Sequence, residues 1–251
     1  MQQVPAEERA ESEPWATIAI TYDNNPYDSR LTPAWGFSCV VRLPEKAILF
    51  DTGGDGAILI SNMEKLGIDP RGIDVVVLSH IHGDHVGGLA TFLQHNSDVT
   101  VYMPISFPQR LKDEVRLSEA KLEEVDEARE LFEGVLTTGE LDGGIKEQSL
   151  VLRTPRGLVV ITGCAHPGIV HIVEKAKEIG KDGVHLVLGG FHLSGASIST
   201  IEAIIEDFVD LGVERVAPCH CSGDGTRSLF QQHFGQNYIQ AGVGKEITLS
   251  E

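Results

Sequence analysis

Val75-Val76-Val77-Leu78-Ser79-His80-Ile81-His82-Gly83-Asp84-His85-Val86-Gly87-Gly88 decides how this chain is read. Val75 to Leu78 is a short, wholly apolar run of the kind that forms a strand buried on both faces. Three imidazoles and one carboxylate then fall within the six residues 80–85, at a strand-to-helix turn, a density that packing does not explain. Histidines two apart in extended chain point to the same side, so His80 and His82 can bind one ion. Asp84 and His85, on the following turn, swing toward a second. Gly83 lets the backbone turn tightly, and Gly87-Gly88 permits close approach of the next helix to its neighbours. Neutral imidazole and carboxylate suit zinc, and also iron or manganese, so one or two divalent ions per chain are expected.

Outward from this turn, β-branched runs alternate with helical patterns, the mark of a mixed α/β chain. Strands are expected at Thr17–Tyr22, Phe37–Leu43, Ala47–Phe50, Val99–Tyr102, Leu150–Arg153, Leu158–Thr162, Val184–Leu188, Val213–Ala217 and Glu246–Leu249. Helices are expected at Gly56–Leu66, His85–Leu93, Gly168–Ile179, Ile198–Leu211 and Thr226–Phe234, with Gly67 and Gly180 as stops. The charged stretch up to Phe132 reads as helical. Segment 105–148 is expected to be a helical insert that covers the metal edge as a lid or makes a subunit contact in a homo-oligomer. No linker divides the halves, so 15–251 is expected to be a single domain behind a disordered acidic tail, 1–14.

The chain of 251 residues carries a net charge of -17, and the location of that charge matters more than its size. Residues 1–13 and 112–133 together hold thirteen acids against five bases, nearly half of the excess. No basic stripe tracks a phosphate backbone, which argues against nucleic acid and for a small-molecule substrate. No apolar run is long enough to span a bilayer, and the polar first dozen residues do not resemble a signal peptide, so no membrane partner and a cytoplasmic location are expected. Cys39, Cys164, Cys219 and Cys221 include no Cys-x-x-Cys pair and are expected to be buried, reduced thiols. Asp51 ends an apolar strand, which suggests either a buried carboxylate with a purpose or a cap before Gly53-Gly54.

His80-x-His82-x-Asp84-His85, preceded by Leu49-Phe50-Asp51-Thr52-Gly53, resembles the metallo-β-lactamase superfamily, and the resemblance runs from about Ile18 to Leu249. It implies an α/β fold, a four-layer αβ/βα sandwich with two mixed β-sheets and a metal site at one edge. The segments Trp35–Ser38, Thr138–Leu141, Glu147–Leu150, Thr162–Gly168, Gly189–Leu193 and Pro218–Cys221 resemble one branch. That branch includes the dihydropterin ribofuranosylaminobenzene 5'-phosphate synthases of methanopterin biosynthesis and many hydrolases.

The resemblance implies His166 as the third ligand beside His80 and His82, and His220 as the ligand joining Asp84 and His85. It implies that Asp51 orients ligands through hydrogen bonds. The bridging aspartate of most dinuclear members is absent, since Gly189-Gly190-Phe191-His192 stands in its place. His192 then either reaches into that space as a ligand or hydrogen-bonds a substrate. Asn24, Trp35, Phe37 and Phe191 stand at branch-like positions for a substrate wall. With the ligand set complete, Cys164, Cys219 and Cys221 are expected to pack rather than bind.

Bound metal would acidify water and polarise a carbonyl or phosphoryl oxygen, with Asp84 orienting the nucleophile and handling its proton. Hydrolysis of a small ester, lactone or phosphoester is the first expectation. The branch implies a second, a transfer joining a dihydropterin methyl diphosphate to an arylamine with release of pyrophosphate. A third is a non-catalytic metal- or ligand-binding module.

Overall fold

A computed structural model of the protein describes residues 15–250, so the expected tail, 1–14, lies outside the described residues. The first half comprises β1 (Ala16–Asp23), β2 (Phe37–Arg42), β3 (Ala47–Phe50), α1 (Gly56–Lys65), β4 (Val75–Val77), α2 (Gly83–Val86), α3 (Leu89–His95), β5 (Thr100–Pro104), α4 (Gln109–Leu117) and β6 (Lys121–Val125). The second comprises β7 (Glu127–Phe132), β8 (Val135–Gly139), β9 (Leu150–Thr154), β10 (Gly157–Thr162), α5 (Ile169–Gly180), β11 (Val184–Gly190), α6 (Ile198–Asp210), β12 (Arg215–Cys219) and α7 (Asp224–Phe234). The last strand, β13 (Glu246–Leu249), returns to pair antiparallel with β1.

Two mixed sheets result, ordered β13-β1-β2-β3-β4-β5-β6 and β12-β11-β10-β9-β8-β7. Alternate side chains leave a strand on opposite faces, and here both faces are covered. Phe37, Cys39, Val41, Ile48, Phe50, Val75 and Val77 pack between the sheets against Val159, Ile161, Leu186 and Leu188. Their neighbours Val40, Leu49, Val76 and Leu78 meet α1 and α3 through Leu59, Met63 and Phe92 on the outer face of the first sheet. Val160 and Val187 meet α5 to α7 through Ile172, Ile205, Phe208 and Phe230 on the outer face of the second. The expected four layers are present. Among the described residues, no helix is long and apolar enough to cross a membrane.

Segment 105–148 is not a helical insert. Its helix stops at Leu117, and β6 and β7 then form the far edge of each sheet, the chain crossing between the sheets at Asp126. High Glu and Lys content reads as helix, but sheet pairing overrides the local preference: β6 pairs parallel with β5 and β7 antiparallel with β8. Charged side chains on such edges discourage pairing with other chains. The acids are also engaged, Glu124 accepting from Lys112 Nζ at 2.6 Å and from Arg116 at 3.2 Å.

The helix expected over His85–Leu93 is broken into α2 and α3 at Gly87-Gly88. A Cβ at these glycines would meet Gly54 O at 2.4 Å and Thr52 O at 2.1 Å, so the β3 loop itself occupies the space of side chains. Helix α5 runs through Gly180 and ends at Lys181, which takes the left-handed cap.

Two residues expected to line a substrate wall belong to the core. Phe37 opens β2 with its ring between the sheets, 6.3 Å from that of Phe50. Phe191 packs against Phe208 and Phe230 at 5.8 and 5.5 Å beneath α6 and α7. Phe37→Ala should therefore cost about 3–5 kcal/mol in urea unfolding. Trp35→Ala, at a 58% exposed side chain, should change it by less than about 0.5 kcal/mol.

Candidate metal centre

Asp51 follows strand β3; its backbone takes a positive φ of 54° and its carboxylate is fully buried. Its Oδ1 accepts the Ser79 N–H at 2.7 Å, and its Oδ2 accepts from Ser79 Oγ and His85 Nδ1, each at 2.7 Å. The Ser79 hydroxyl, having donated to Asp51, can only accept from His80 Nδ1, 2.9 Å away. One carboxylate thus leaves His80 and His85 protonated at Nδ1, each with a bare lone pair at Nε2.

His220, after β12, is oriented from another direction. Its Nδ1 donates to Asn24 Oδ1 at 2.9 Å, and the Asn24 amide is itself fixed because its Nδ2 donates to the His220 carbonyl at 3.2 Å. Asn24 therefore positions a histidine instead of lining a substrate wall. The buried Asp23 accepts the His220 N–H at 3.0 Å.

The fixed lone pairs of His80, His85 and His220 converge on one region. His85 Nε2 and His220 Nε2 face each other at 3.2 Å, and His80 Nε2 faces His82 Nδ1 at 3.1 Å. His166 Nε2 is buried with no hydrogen-bond partner. The donor atoms of His80, His82 and His166 lie within 4.8 Å of one another, as do those of Asp84, His85 and His220. His85 Nε2 and His220 Nε2 are both acceptors and repel unless a cation lies between or beside them, so their set fits a divalent ion, and the unpartnered His166 Nε2 fits one in the other. Asp84 Oδ2 stands 3.4 Å from His220 Nε2 and 3.8 Å from His85 Nε2.

Protonation favours the same reading at His80 and His166. Burial, reinforced by the neighbouring imidazoles, holds His80 far below the ordinary range, and burial with His192 lowers His166 from 6.5 to about 4. Burial pushes the Asp84 carboxyl up, but the adjacent His220 and His85 rings outweigh it and hold it below the usual range. Burial also lowers His85, yet Asp51 more than offsets it.

The 163–166 loop carries His166 and depends on Glu147, which the sequence reading placed in a motif without giving it a role. Glu147 is fully buried, and its carboxylate accepts from Thr162 Oγ1 and from the backbone N–H groups of Gly163, Cys164, Ala165 and His166, at 2.9 to 3.0 Å. In the β8–β9 connection, Gly143 abuts the same loop, where a Cβ would meet His166 O at 2.2 Å.

Cys39 and Cys219 pack between the sheets as expected, but Cys164 and Cys221 face the site. Cys164 Sγ is 3.2 Å from His85 Nε2, and the donor atoms of Cys164, Cys221 and His192 form a third set within 4.8 Å. Nothing local in the sequence marks the two thiols as donors, because the side chains they face come from distant segments. Cys164 beside it pulls the Cys221 thiol down and in turn is pushed up itself, while His192 rises against Cys221. The His192 ring lies 4.4 Å from that of His166. Trp35 stands exposed at the rim, its ring 5.0 Å from His220. His185 bonds Glu214 at 2.8 Å, away from the site.

Two outcomes follow from this geometry. Asp51→Asn, which cannot accept three donors, should weaken zinc binding about 10–100-fold in chelator competition. In metal-free protein, the unfolded chain binds protons at His166 between its ordinary pKa of 6.5 and the folded value of about 4, where the folded chain does not. Stability should therefore fall as pH drops through that window, and urea midpoints measured from pH 7 to 4 check it.

Comparisons with known proteins agree with the geometry. The family model of the metallo-beta-lactamase superfamily matches residues 35–220. The chain is 28% identical to the 7,8-dihydropterin-6-methyl-4-(beta-D-ribofuranosyl)-aminobenzene-5'-phosphate synthase of Methanocaldococcus jannaschii, over 92% of this chain and 95% of that protein. It is 30% identical to a ribonuclease Z of Pediococcus pentosaceus over 46% of this chain and 39% of that protein. The crystal structure of Tm1679, described as a metal-dependent hydrolase of the beta-lactamase superfamily, superposes with a TM-score of 0.80 at 29% identity, covering 94% of this chain and all of that one.

Proposed function

The chain belongs to the metallo-beta-lactamase superfamily, and on that premise we propose that it is a metal-dependent hydrolase of a small ester, lactone or phosphoester. The observation that carries this reading is the facing Nε2 lone pairs of His85 and His220 beside the Asp84 carboxylate, with His166 Nε2 buried and unpartnered. A divalent ion bound there supplies Lewis acidity, acidifying water and polarising a carbonyl or phosphoryl oxygen.

The chain's own residues supply the rest. His80, His82 and His166 form one ligand set, and Asp84, His85 and His220 the other. Asp84, ionised at neutral pH, orients the attacking water with one oxygen and accepts its hydrogen bond. Asp51, Asn24 and Glu147 hold rings and loops in place, so little reorganisation accompanies reaction. Trp35 offers an exposed aromatic face for a flat substrate beside His220. The acidic surplus disfavours a polyanion, so the partial likeness to ribonuclease Z does not extend the proposal to RNA.

One specific observation favours a second reading. The likeness to the aminobenzene-phosphate synthase spans nearly the full length of both proteins, which supports a transfer of a dihydropterin methyl group from diphosphate to an arylamine. In that reaction the centre would neutralise departing pyrophosphate.

Zinc-loaded protein incubated with aryl esters, lactones and bis(p-nitrophenyl) phosphate should turn over at least one class. Asp84→Asn should lower that rate about 10²–10⁴-fold, and His82→Ala should abolish it. Pyrophosphate release that requires both a dihydropterin methyl diphosphate and an arylamine would replace hydrolysis with transfer. Zinc uptake without turnover in either assay would leave a binding module.

A further inference from the structure

The end of β11, where a bridging carboxylate is expected in a dinuclear centre, carries no acid: Gly189 and Gly190 stand there. The space is nevertheless filled. A Cβ on Gly190 would meet Cys221 Sγ at 2.6 Å, Gly163 O at 2.5 Å and Cys164 Cα at 3.3 Å. Glycine at this position admits the Cys221 thiol and the backbone of the Cys164 loop, which a side chain would displace. The Cys164 and Cys221 thiols come from the two loops that deliver His166 and His220, so the same backbone turns aim sulfur and imidazole into one space.

Cys164 is common to two sets of donors. Its sulfur lies with His80 and His85 in one, and with His192 and Cys221 in the other, each set within 4.8 Å. It therefore stands between the histidine pairs, 3.2 Å from the bare Nε2 of His85. His192 reaches the cluster from the Gly-Gly turn with a positive φ of 54°, a conformation a histidine holds only under constraint. Both thiols are buried, whereas His192 is exposed, so the set opens to solvent on one side.

We propose that Cys164, Cys221 and His192 form a sulfur-containing ligand set that replaces the missing carboxylate and directs this centre toward thiophilic divalent ions, zinc and ferrous iron, over manganese or magnesium. Thiolate donors select such ions, whereas carboxylate donors suit the harder ones. This rests on the reading of the histidine cluster as a metal centre, and the experiment separates the two.

Reduced apoprotein is titrated with cobalt(II) and followed by absorption. Visible ligand-field bands report any tetrahedral or five-coordinate site, while an intense near-ultraviolet thiolate-to-cobalt charge-transfer band reports sulfur. The proposal expects both, with loss of the near-ultraviolet band in Cys164→Ser and Cys221→Ser and its retention in Cys219→Ser. Ligand-field bands without the charge-transfer band, or a band unchanged in both serine variants, overturn the thiolate set while keeping the histidine centre. Absence of any cobalt spectrum overturns both. Should the serine variants fail to fold, zinc-edge X-ray absorption on unaltered protein decides: a sulfur shell near about 2.3 Å supports the proposal, and nitrogen and oxygen alone at about 2.0–2.2 Å overturn it.

Discussion

The buried carboxylate of Asp51 is the contact on which the rest of the centre depends. It joins the end of β3 to the loop after β4 through the Ser79 N–H, and to α2 through His85, so three elements of the first sheet meet on two oxygens. A bare carboxylate in this position would be costly to bury. Three donors offset that cost, and in accepting them Asp51 decides which nitrogen of His80 and of His85 carries the proton. Fold and chemistry are therefore set by one side chain: the bonds that close the β3 and β4 loops are those that leave both Nε2 lone pairs free.

The second half repeats the device with different residues. Glu147 accepts five donors from the loop carrying Cys164 and His166, and Asp23 accepts the His220 N–H beside Asn24. Each ligand-bearing loop is thus tied to a buried acid on a neighbouring segment. These ties coincide with strain. Among the described non-glycine residues with positive φ, Asp51, Ala165, His192 and His220 all lie at the centre, while Glu119 and Lys181 lie just beyond the ends of α4 and α5. Such conformations cost roughly 1–3 kcal/mol each and persist only where surroundings over-determine them. The carboxylate bonds supply that determination at Asp51, Ala165 and His220.

What the sequence made legible follows from the range of the interactions. The His80 to His85 cluster lies within one turn, and the central strands announce themselves because both faces are buried. Strands β6 and β7 were illegible, since their Glu and Lys residues favour helix locally and only pairing with β5 and β8 makes them strands. The roles of Glu147, Asn24 and the two thiols were illegible for a related reason: each acts on a residue distant in sequence, and composition near a motif says nothing about what faces it. Phe37 and Phe191 show the reverse error. Both neighbour site motifs, yet their aromatic size favours the core, and the parity of β2 places Phe37 with Cys39 and Val41 between the sheets.

The same arrangement changes the meaning of the net charge of -17. Surface acids separated from the centre by more than about 8–10 Å of solvent are largely screened at physiological salt. Asp84 is the one carboxylate among the described donor sets. Behind the rings, however, Asp51, Glu147 and Asp23 sit in a low-dielectric interior where their fields on a cation are poorly screened. Acids that touch no ion are thereby part of what attracts one. That placement also reconciles two demands that conflict in a single layer: carboxylates do not crowd one another among the donors, while the negative field a divalent ion needs is held one residue farther back.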